Sequence, residues 1–350
     1  MATTLHDVAK LAGVSAKTVS NVVNDYPHIK QATKERVLAA IAELGYRPNL
    51  SARGLRSGRS GVISLIIPDL RNSYFAELAD AVMHAADQLG LSVLIELSGG
   101  DRAREAELLR GARLRAVDGV LYSALHLGDE DLAVVEEVTI PMVLLGERMF
   151  NAPNDHVTMR NTEGARAATE HLIALGRTRI VAFGAHRADI VGSASLRLAG
   201  YQAALEAAGM VFDPALVREV PVWGRFDGAV AMRAMLDEGV AFDGIVAFND
   251  ALALGAMRVL SERGVAMPDE VAVIGFDDID EGRYSLPSLS TIAPGREQIA
   301  RTAVSLLVER ISGGVDDVPP RRVYADFELV RRESTASSPV GADSPSPDVS

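Results

Sequence analysis

The sequence predicts an α/β protein with two parts. The first is an N-terminal three-helix head of helix-turn-helix type, and the second is a two-lobed body with parallel sheets. Three observations carry this. Charge is divided unevenly along the chain. The first 46 residues hold three short stretches of helical spacing separated by turn residues. From Val62 the pattern switches to short apolar runs alternating with helical stretches, and that series occurs twice. At 350 residues the chain is too long for one small domain.

Residues 1–60 carry nine Lys and Arg against four Asp and Glu, a balance of +5. The other 290 residues therefore hold −17 of a formal net charge of −12, and all four lysines lie at Lys10, Lys17, Lys30 and Lys34. A basic head on an acidic body points to a nucleic-acid-binding module joined to a part with another role. Hydrophobic residues make up 48% and charged residues 23%, enough apolar material for real cores. With no cysteine, disulfide scaffolds, thiolate zinc sites and cysteine nucleophiles are excluded. No run of about 18 apolar residues offers a membrane span. The start, Met1-Ala-Thr-Thr-Leu-His-Asp, lacks a basic-then-apolar leader pattern, so the expected location is cytoplasmic, with no membrane partner.

The head is read from its punctuation. Thr4 and Asp7 fit a capping box at the start of a helix from Leu5 to Ala12. Its buried side is Leu5, Val8 and Ala9, with Leu11 at the edge. Gly13 supplies the positive φ of a tight turn. Ser15 caps a second helix, Ala16 to Val23, whose inner side is Val19, Val22 and Val23. A third helix spans Gln31 to Leu44, with Val37, Leu38, Ile41 and Leu44 as its apolar stripe and Gly45 as its stop.

The run Leu5-His-Asp-Val-Ala-Lys-Leu-Ala-Gly-Val-Ser-Ala-Lys-Thr-Val-Ser-Asn-Val-Val-Asn24, continued by Ala40-Ile-Ala-Glu-Leu-Gly-Tyr-Arg-Pro-Asn49, resembles the head of the LacI/GalR family of bacterial transcription regulators. The resemblance implies that the second helix enters the major groove of operator DNA, with Ala16, Lys17 and Asn21 at the base-reading positions. The chemistry suits base reading, since Lys donates to guanine, Asn pairs with adenine, and Ala meets a thymine methyl. Ser15, Thr18, Ser20 and Asn24 read as caps or phosphate contacts. Lys30 departs from the small capping hydroxyl common in the family; a phosphate contact and a solvated lysine stand level there. Residues 47–60 read as a basic linker with Pro48. In the family the matching segment orders on DNA and a leucine, here Leu55, wedges into the minor groove, with Arg53 and Arg56 beside it on the backbone.

The body alternates strand and helix, which means parallel sheets with right-handed crossovers. The first set of strands is Val62–Ile67, Leu91–Ile95, Gly119–Tyr122 and Met142–Leu145. The second is Arg179–Phe183, Val217–Val220, Gly244–Phe248 and Val271–Gly275. Helices are expected at Tyr74–Leu89, Thr162–Leu175 and Leu196–Ala208. Two facing lobes of this kind hold a ligand at the carboxyl ends of their strands. The resemblance extends over the body, which looks like a periplasmic sugar-binding protein with discontinuous lobes. Chain crossings are expected near Arg160, Leu289 and Pro320. The N-lobe would be about 61–160 plus 290–320, the C-lobe about 161–289 plus 321–333, and 334–350 a disordered tail rich in Ser, Pro, Ala and Asp.

The same resemblance places effector contacts at Arg197, Asn249 and Asp277, with Trp223 as a stacking face and Gly228 at the family spacing. Tyr74 and Phe75 fall in another cleft-facing segment, and Glu147 and Arg148 follow a strand that ends there. Asp250 and Asp278 read as helix caps. For Arg197 the competing reading is an inter-lobe salt bridge, and for Trp223 it is packing. The polar set suits a sugar, with a nucleoside or nucleobase as the alternative.

An enzyme of sugar or nucleotide metabolism is the reading from a different class. It leaves the basic head without a purpose. No Walker, G-x-S-x-G or H-E-x-x-H motif is present, no lysine follows Lys34, and the seven histidines are scattered. The acidic run Asp277, Asp278, Asp280 and Glu281 is explained by the family pattern without a metal. The expectation is a repressor that is no enzyme and uses no cofactor. It would bind double-stranded operator DNA as a homodimer, with Tyr74–Gln88 facing the second copy, under control of a small effector.

Overall fold

The computed structural model of the chain describes residues 3–23, 26–46, 59–186, 192–313 and 318–336. It divides into two units, Met1–Gly61 and Val62–Ser350. The first holds three helices, α1 (Leu5–Ala12), α2 (Ala16–Val23) and α3 (Gln31–Leu44). The Thr4 amide donates to the Asp7 carboxylate at 2.8 Å and the Asp7 amide donates back to Thr4 Oγ1 at 3.3 Å, a complete capping box. Gly13 takes φ +62°. The Thr18 amide donates to Ser15 Oγ at 3.1 Å, so Ser15 caps α2. The core is Val8, Ala9, Ala12, Val19, Val22, Val37 and Ala40. Two expected core residues lie outside it, Leu11 (46% exposed) and Leu38 (48% exposed). Each sits one residue off the inner face, where Ala12 and Ala40 let the helices approach more closely.

The body has two six-stranded sheets. In chain order its elements begin β1 (Val62–Ile67), α4 (Ser73–Asp87), β2 (Ser92–Leu97), α5 (Arg102–Arg110), β3 (Gly119–Ser123), α6 (Leu132–Glu136), β4 (Met142–Leu145) and β5 (Asp155–Met159). The second series is α7 (Asn161–Ala174), β6 (Ile180–Ala185), α8 (Ser193–Ala207), β7 (Val217–Glu219), α9 (Arg225–Asp237), β8 (Gly244–Ala247), α10 (Asp250–Glu262), β9 (Ala272–Phe276), α11 (Asp280–Arg283) and β10 (Ser290–Ala293). The chain ends with α12 (Arg296–Ile311), β11 (Arg322–Ala325) and β12 (Glu328–Val330). The first sheet runs β11-β5-β4-β3-β1-β2 and is parallel throughout. The second runs β12-β10-β9-β8-β6-β7, with only β12 antiparallel. The central strands β1, β3, β4, β8 and β9 are apolar but for Ser64 and Ser123 and are buried at every residue but Val62, as burial on both sheet faces requires.

The crossings differ from expectation. The first is at Arg160, as expected. The second lies at 294–295, because β10 pairs with β9 (Ser290 opposite Ile274) and so belongs to the second sheet. The third lies at 326–327, because β11 pairs with β5 (Arg322 opposite His156) and so belongs to the first. Residues 290–293 therefore leave the expected N-lobe and 322–325 leave the expected C-lobe. The crossings touch: a Cβ on Gly295, which has φ +72°, would sit 2.5 Å from the Asp326 carbonyl oxygen. Helix α12 packs on α4, β3, β4 and β5 in the first lobe. Asp155 anchors it there, accepting from Arg310 Nε and Arg321 Nη2, each at 2.9 Å.

The expected tail begins too early. Ser334 and Thr335 are buried. The Ser334 amide donates to the Ser288 carbonyl at 2.9 Å, and Thr335 Oγ1 lies 2.7 Å from Ser290 Oγ. Residues 337–350 lie outside the described residues, as does the linker 47–58. Among the described residues no helix is long and apolar enough to cross a membrane.

Candidate functional site

In the head, α2 turns Val19 and Val22 inward. Its other side therefore carries Lys17, Ser20 and Asn21, since 100° per residue sets Lys17 opposite the buried pair, while Ala16 lies at the edge and packs against the core. Lys17 is exposed and Ala16, Ser20 and Asn21 are half-buried. Ser15 and Thr18 are joined at the helix start, their hydroxyls 2.9 Å apart. Lys30 occupies the N-cap position of α3, makes no side-chain cap bond and is exposed. Asn24, Arg53, Leu55 and Arg56 lie outside the described residues.

In the body, the carboxyl ends of the strands bring together most of the residues singled out. Arg197, in the second turn of α8, is 3% exposed. Its Nε donates to Asn161 Oδ1 at 2.7 Å, and its Nη1 donates to the Phe248 carbonyl. Its Nη2 lies 3.3 Å from Met159 Sδ and 3.6 Å from Asp277 Oδ1. The guanidinium lies over the Phe276 ring at 3.6 Å and 5.3 Å from the centre of Trp223. Asp277 follows β9 with φ +115°, a strained position for a side-chain-bearing residue, about 1–3 kcal/mol. It is held by its amide, which donates to the Ile292 carbonyl at 2.9 Å, and by Arg296, which donates to its carbonyl at 3.0 Å. Burial pushes the Asp277 carboxyl up to about 7; Arg197 and Arg296 oppose that, and Glu147 and Glu77 add to it.

Tyr74 is brought in by Asn72, whose side chain accepts from the Tyr74 amide at 3.1 Å and starts α4. Its hydroxyl is pushed well above the ordinary phenol range by burial and then by Asp277 and Glu147. Phe75 packs edge-on against it at 5.3 Å. Trp223 is half-buried, donates Nε1 to the Gly184 carbonyl at 2.9 Å, and meets Phe248 edge-on at 6.3 Å.

The helix cap expected at Asp250 falls one residue earlier. Asn249 caps α10, its Oδ1 accepting from the Leu252 amide at 2.8 Å, while Nδ2 donates to the Trp223 carbonyl at 3.3 Å. Asp250 is fully buried and accepts from the Ile279 amide (3.0 Å) and Thr291 Oγ1 (2.6 Å), which fixes the loop behind Asp277. Asp278 is not a cap either; it pairs with Arg283 at 3.2 Å and Arg332 at 2.5 Å. Gly228 is a packing residue, since a Cβ there would lie 2.6 Å from the Leu252 carbonyl oxygen of the adjoining helix. Arg148 donates to the Leu127 carbonyl at 3.1 Å and the His126 carbonyl at 3.3 Å, and its Cδ would lie 4.0 Å from a Cβ on Gly192 at the start of α8.

The structure adds residues that sequence reasoning passed over. Asn161 and Ser193, the first residues of α7 and α8, both donate to the buried Glu147, each at 2.7 Å. Glu147 comes from the first lobe and both donors from the second, so this contact spans the cleft. A second contact lies at its mouth: Ser73 Oγ donates to Glu281 Oε1 at 2.5 Å, and Arg225 pairs with the same oxygen at 3.0 Å. A third joins the Asp280 amide to Glu77 at 3.0 Å, with Arg296 on the same carboxylate at 2.6 Å. The only signal for these was their position just after a strand or at a helix start. Together, the flat rings and the fixed carboxylates, amide and guanidinium form one buried polar cluster between the lobes.

Comparison with known proteins gives a consistent result. The profile of bacterial regulatory proteins of the lacI family matches residues 4–49, and that of the periplasmic binding protein-like domain matches 169–335. The transcriptional regulator CelR of Thermobifida fusca is 35% identical, over 95% of this chain and 98% of its own length. The transcriptional repressor PurR of Aliivibrio fischeri is 32% identical, over 95% and 98%. Among solved structures, a LacI-family regulator from Sanguibacter keddieii is 50% identical, with TM-score 0.74 over 79% of this chain and 99% of that one. A complex of CelR with cellobiose is 32% identical, with TM-score 0.70 over 95% and 99%. The lac repressor dimer bound to operator is 30% identical, with TM-score 0.81 over 96% and 99%.

Proposed function

The chain belongs to the lacI family of bacterial transcription regulators, and from that footing we propose that it is a homodimeric repressor whose hold on operator DNA is set by a sugar. The observation that carries the effector half is the buried polar cluster of Arg197, Asp277, Glu147 and Asn161 between the lobes, walled by Trp223 and Phe276. Carboxylate, amide and guanidinium groups bind vicinal hydroxyls, and an aromatic face receives the C–H side of a pyranose. Arg197, Trp223, Asp277, Tyr74 and Phe75 are its proposed contacts, with Asn249 positioning Trp223. The CelR relative is named with cellobiose, which fits this choice. The PurR relatives keep a purine as the second reading.

The DNA half rests on the outward side of α2. Lys17, Ala16 and Asn21 would read bases, with Ser15, Thr18, Ser20, Asn24 and Lys30 on phosphates or caps, and the linker's Arg53, Leu55 and Arg56 in the minor groove. For the second copy, Met83, Leu89 and Leu94 are exposed on the first lobe and Phe226, Tyr284 and Leu286 on the second. The Ser73–Glu281–Arg225 contact brings those two sides near one another. A partner seated on both lobes feels any change in their closure, and an effector that favours one closure state shifts operator affinity accordingly. Such a regulator acts in the cytoplasm and performs no catalysis.

The test is selection from random DNA by the full-length protein at one stated salt concentration, with and without a panel of sugars and nucleobases. The expected result is a near-palindromic site whose enrichment one sugar changes. Folded protein that enriches no sequence overturns the repressor reading. A response to a nucleobase alone replaces the sugar with the second reading.

A further inference from the structure

The placement of the effector between the lobes leaves open which ligands that site admits. Resting on it, we propose that the cleft takes an uncharged ligand and that Glu147 is the residue that turns away phosphorylated counterparts.

The cations come first. Among the described residues three arginines stand at the cluster, and each already has partners. Arg148, next to Glu147, gives its N–H groups to the Leu127 and His126 carbonyls. Arg197 directs its N–H groups to Asn161, the Phe248 carbonyl, Met159 Sδ and Asp277, and lays its face on Phe276. Arg296 holds Glu77 at 2.6 Å and the Asp277 carbonyl at 3.0 Å. Arg225, at the mouth, is paired with Glu281. No lysine follows Lys34 anywhere in the chain.

The anions differ. Glu147 is 8% exposed, and among the described residues no arginine pairs with it. Both its oxygens accept from neutral donors, Asn161 Nδ2 and Ser193 Oγ. Those donors are the first residues of α7 and α8. Helix starts, with their outward N–H groups and positive dipole ends, are where a phosphoryl group would settle. Here a carboxylate of the protein has taken that place. The Gly192 amide at the start of α8 is further occupied, donating to Ser195 Oγ at 3.1 Å.

A phosphate ester carries close to two negative charges. In this cleft it would meet Glu147 and Asp277 in a water-poor site where, among the described residues, no unmatched cation answers it. An uncharged polyol exchanges only neutral hydrogen bonds.

Trp223 is the only tryptophan of the chain and lies 5.3 Å from the Arg197 guanidinium, so its emission reports occupancy. Full-length protein is titrated with glucose, cellobiose and adenosine. Glucose 6-phosphate, cellobiose 6′-phosphate and AMP are titrated alongside as their charged counterparts. The expected result is that whichever uncharged probe binds does so at least about 100-fold more tightly than its phosphate ester, or about 2.7 kcal/mol. Glu147→Gln is expected to narrow that ratio about tenfold, since the amide keeps the shape, still accepts from Asn161 and can donate to Ser193 Oγ in the reverse sense, while the charge is removed. Equal or tighter binding of the ester to the native protein overturns the proposal. So does a Glu147→Gln protein that melts like the native one and keeps the full ratio. The native ratio decides by itself if that variant does not fold. Adenosine binding with AMP refused ends the sugar reading and leaves this one standing.

Discussion

Replacing Asp277 with Asn should stabilise the body at pH 8, although it removes one partner of a buried ion pair. Two effects oppose each other. Burial disfavours the carboxylate and, with Glu147 and Glu77 adding to it, raises its pKa from 3.8 to about 7 against the pull of Arg197 and Arg296. Against that, a lost partner leaves Arg197 less compensated. The distances decide. Asp277 is 3.6 Å from Arg197, which keeps its bond to Asn161 at 2.7 Å, its bond to the Phe248 carbonyl and its place over Phe276.

Because the folded pKa lies above the unfolded one, the folded state holds the extra proton between pH 3.8 and about 7. Stability from this group is full below that window and is lost as pH rises through it. About three units correspond to about 4 kcal/mol, as an order of magnitude. Over pH 5 to 7 the native protein should therefore lose roughly 2–3 kcal/mol relative to Asp277→Asn. Urea unfolding of both proteins at four pH values, followed by far-UV circular dichroism, measures the difference directly. If the variant is the less stable at pH 8, or the two curves run parallel from pH 5 to 8, the Arg197 pairing outweighs burial and the reasoning is wrong.

Three further predictions follow from separate parts of the chain. Lys17→Ala should cost about 1–3 kcal/mol at particular operator base pairs, read by mobility shift on single-base variants; a loss equal on every sequence would make Lys17 a phosphate contact. Asp155→Ala strips the carboxylate shared by Arg310 and Arg321, which burial opposes but those two hold well below the usual range. It should destabilise the body by about 3 kcal/mol in chemical unfolding, and a cost under about 0.5 kcal/mol would demote the clasp to a surface pair. Gly228→Ala forces a Cβ to 2.6 Å from the Leu252 carbonyl oxygen. The expected loss is about 1–3 kcal/mol, while an unchanged melting temperature would show that α9 and α10 separate freely.

The head was almost wholly legible. Thr4, Asp7, Gly13, Ser15 and Gly45 act on backbone groups within three or four residues of themselves, so their meaning travels with the local sequence. The alternation of strands and helices in the body was legible for the same reason. Leu11 and Leu38 were misplaced because the width of an inner face depends on how closely the opposing helix comes.

Tertiary structure decided the rest. Nothing local to 290–293 or 322–325 tells which sheet they join; their partner strands settle it, β9 and β12 for the first, and β5, with His156 opposite Arg322, for the second. Asn249 and Asp250 are adjacent polar residues after one strand, and only the positions of Leu252, Ile279 and Thr291 make the first a cap and the second a buried anchor. Glu147, Asn161 and Ser193 lie far apart in the chain and form one contact only because the lobes face each other. Caps, turns and periodicity are short-range and can be read from neighbours. Sheet membership and the make-up of the cleft are long-range, set by which surfaces the folded chain presses together.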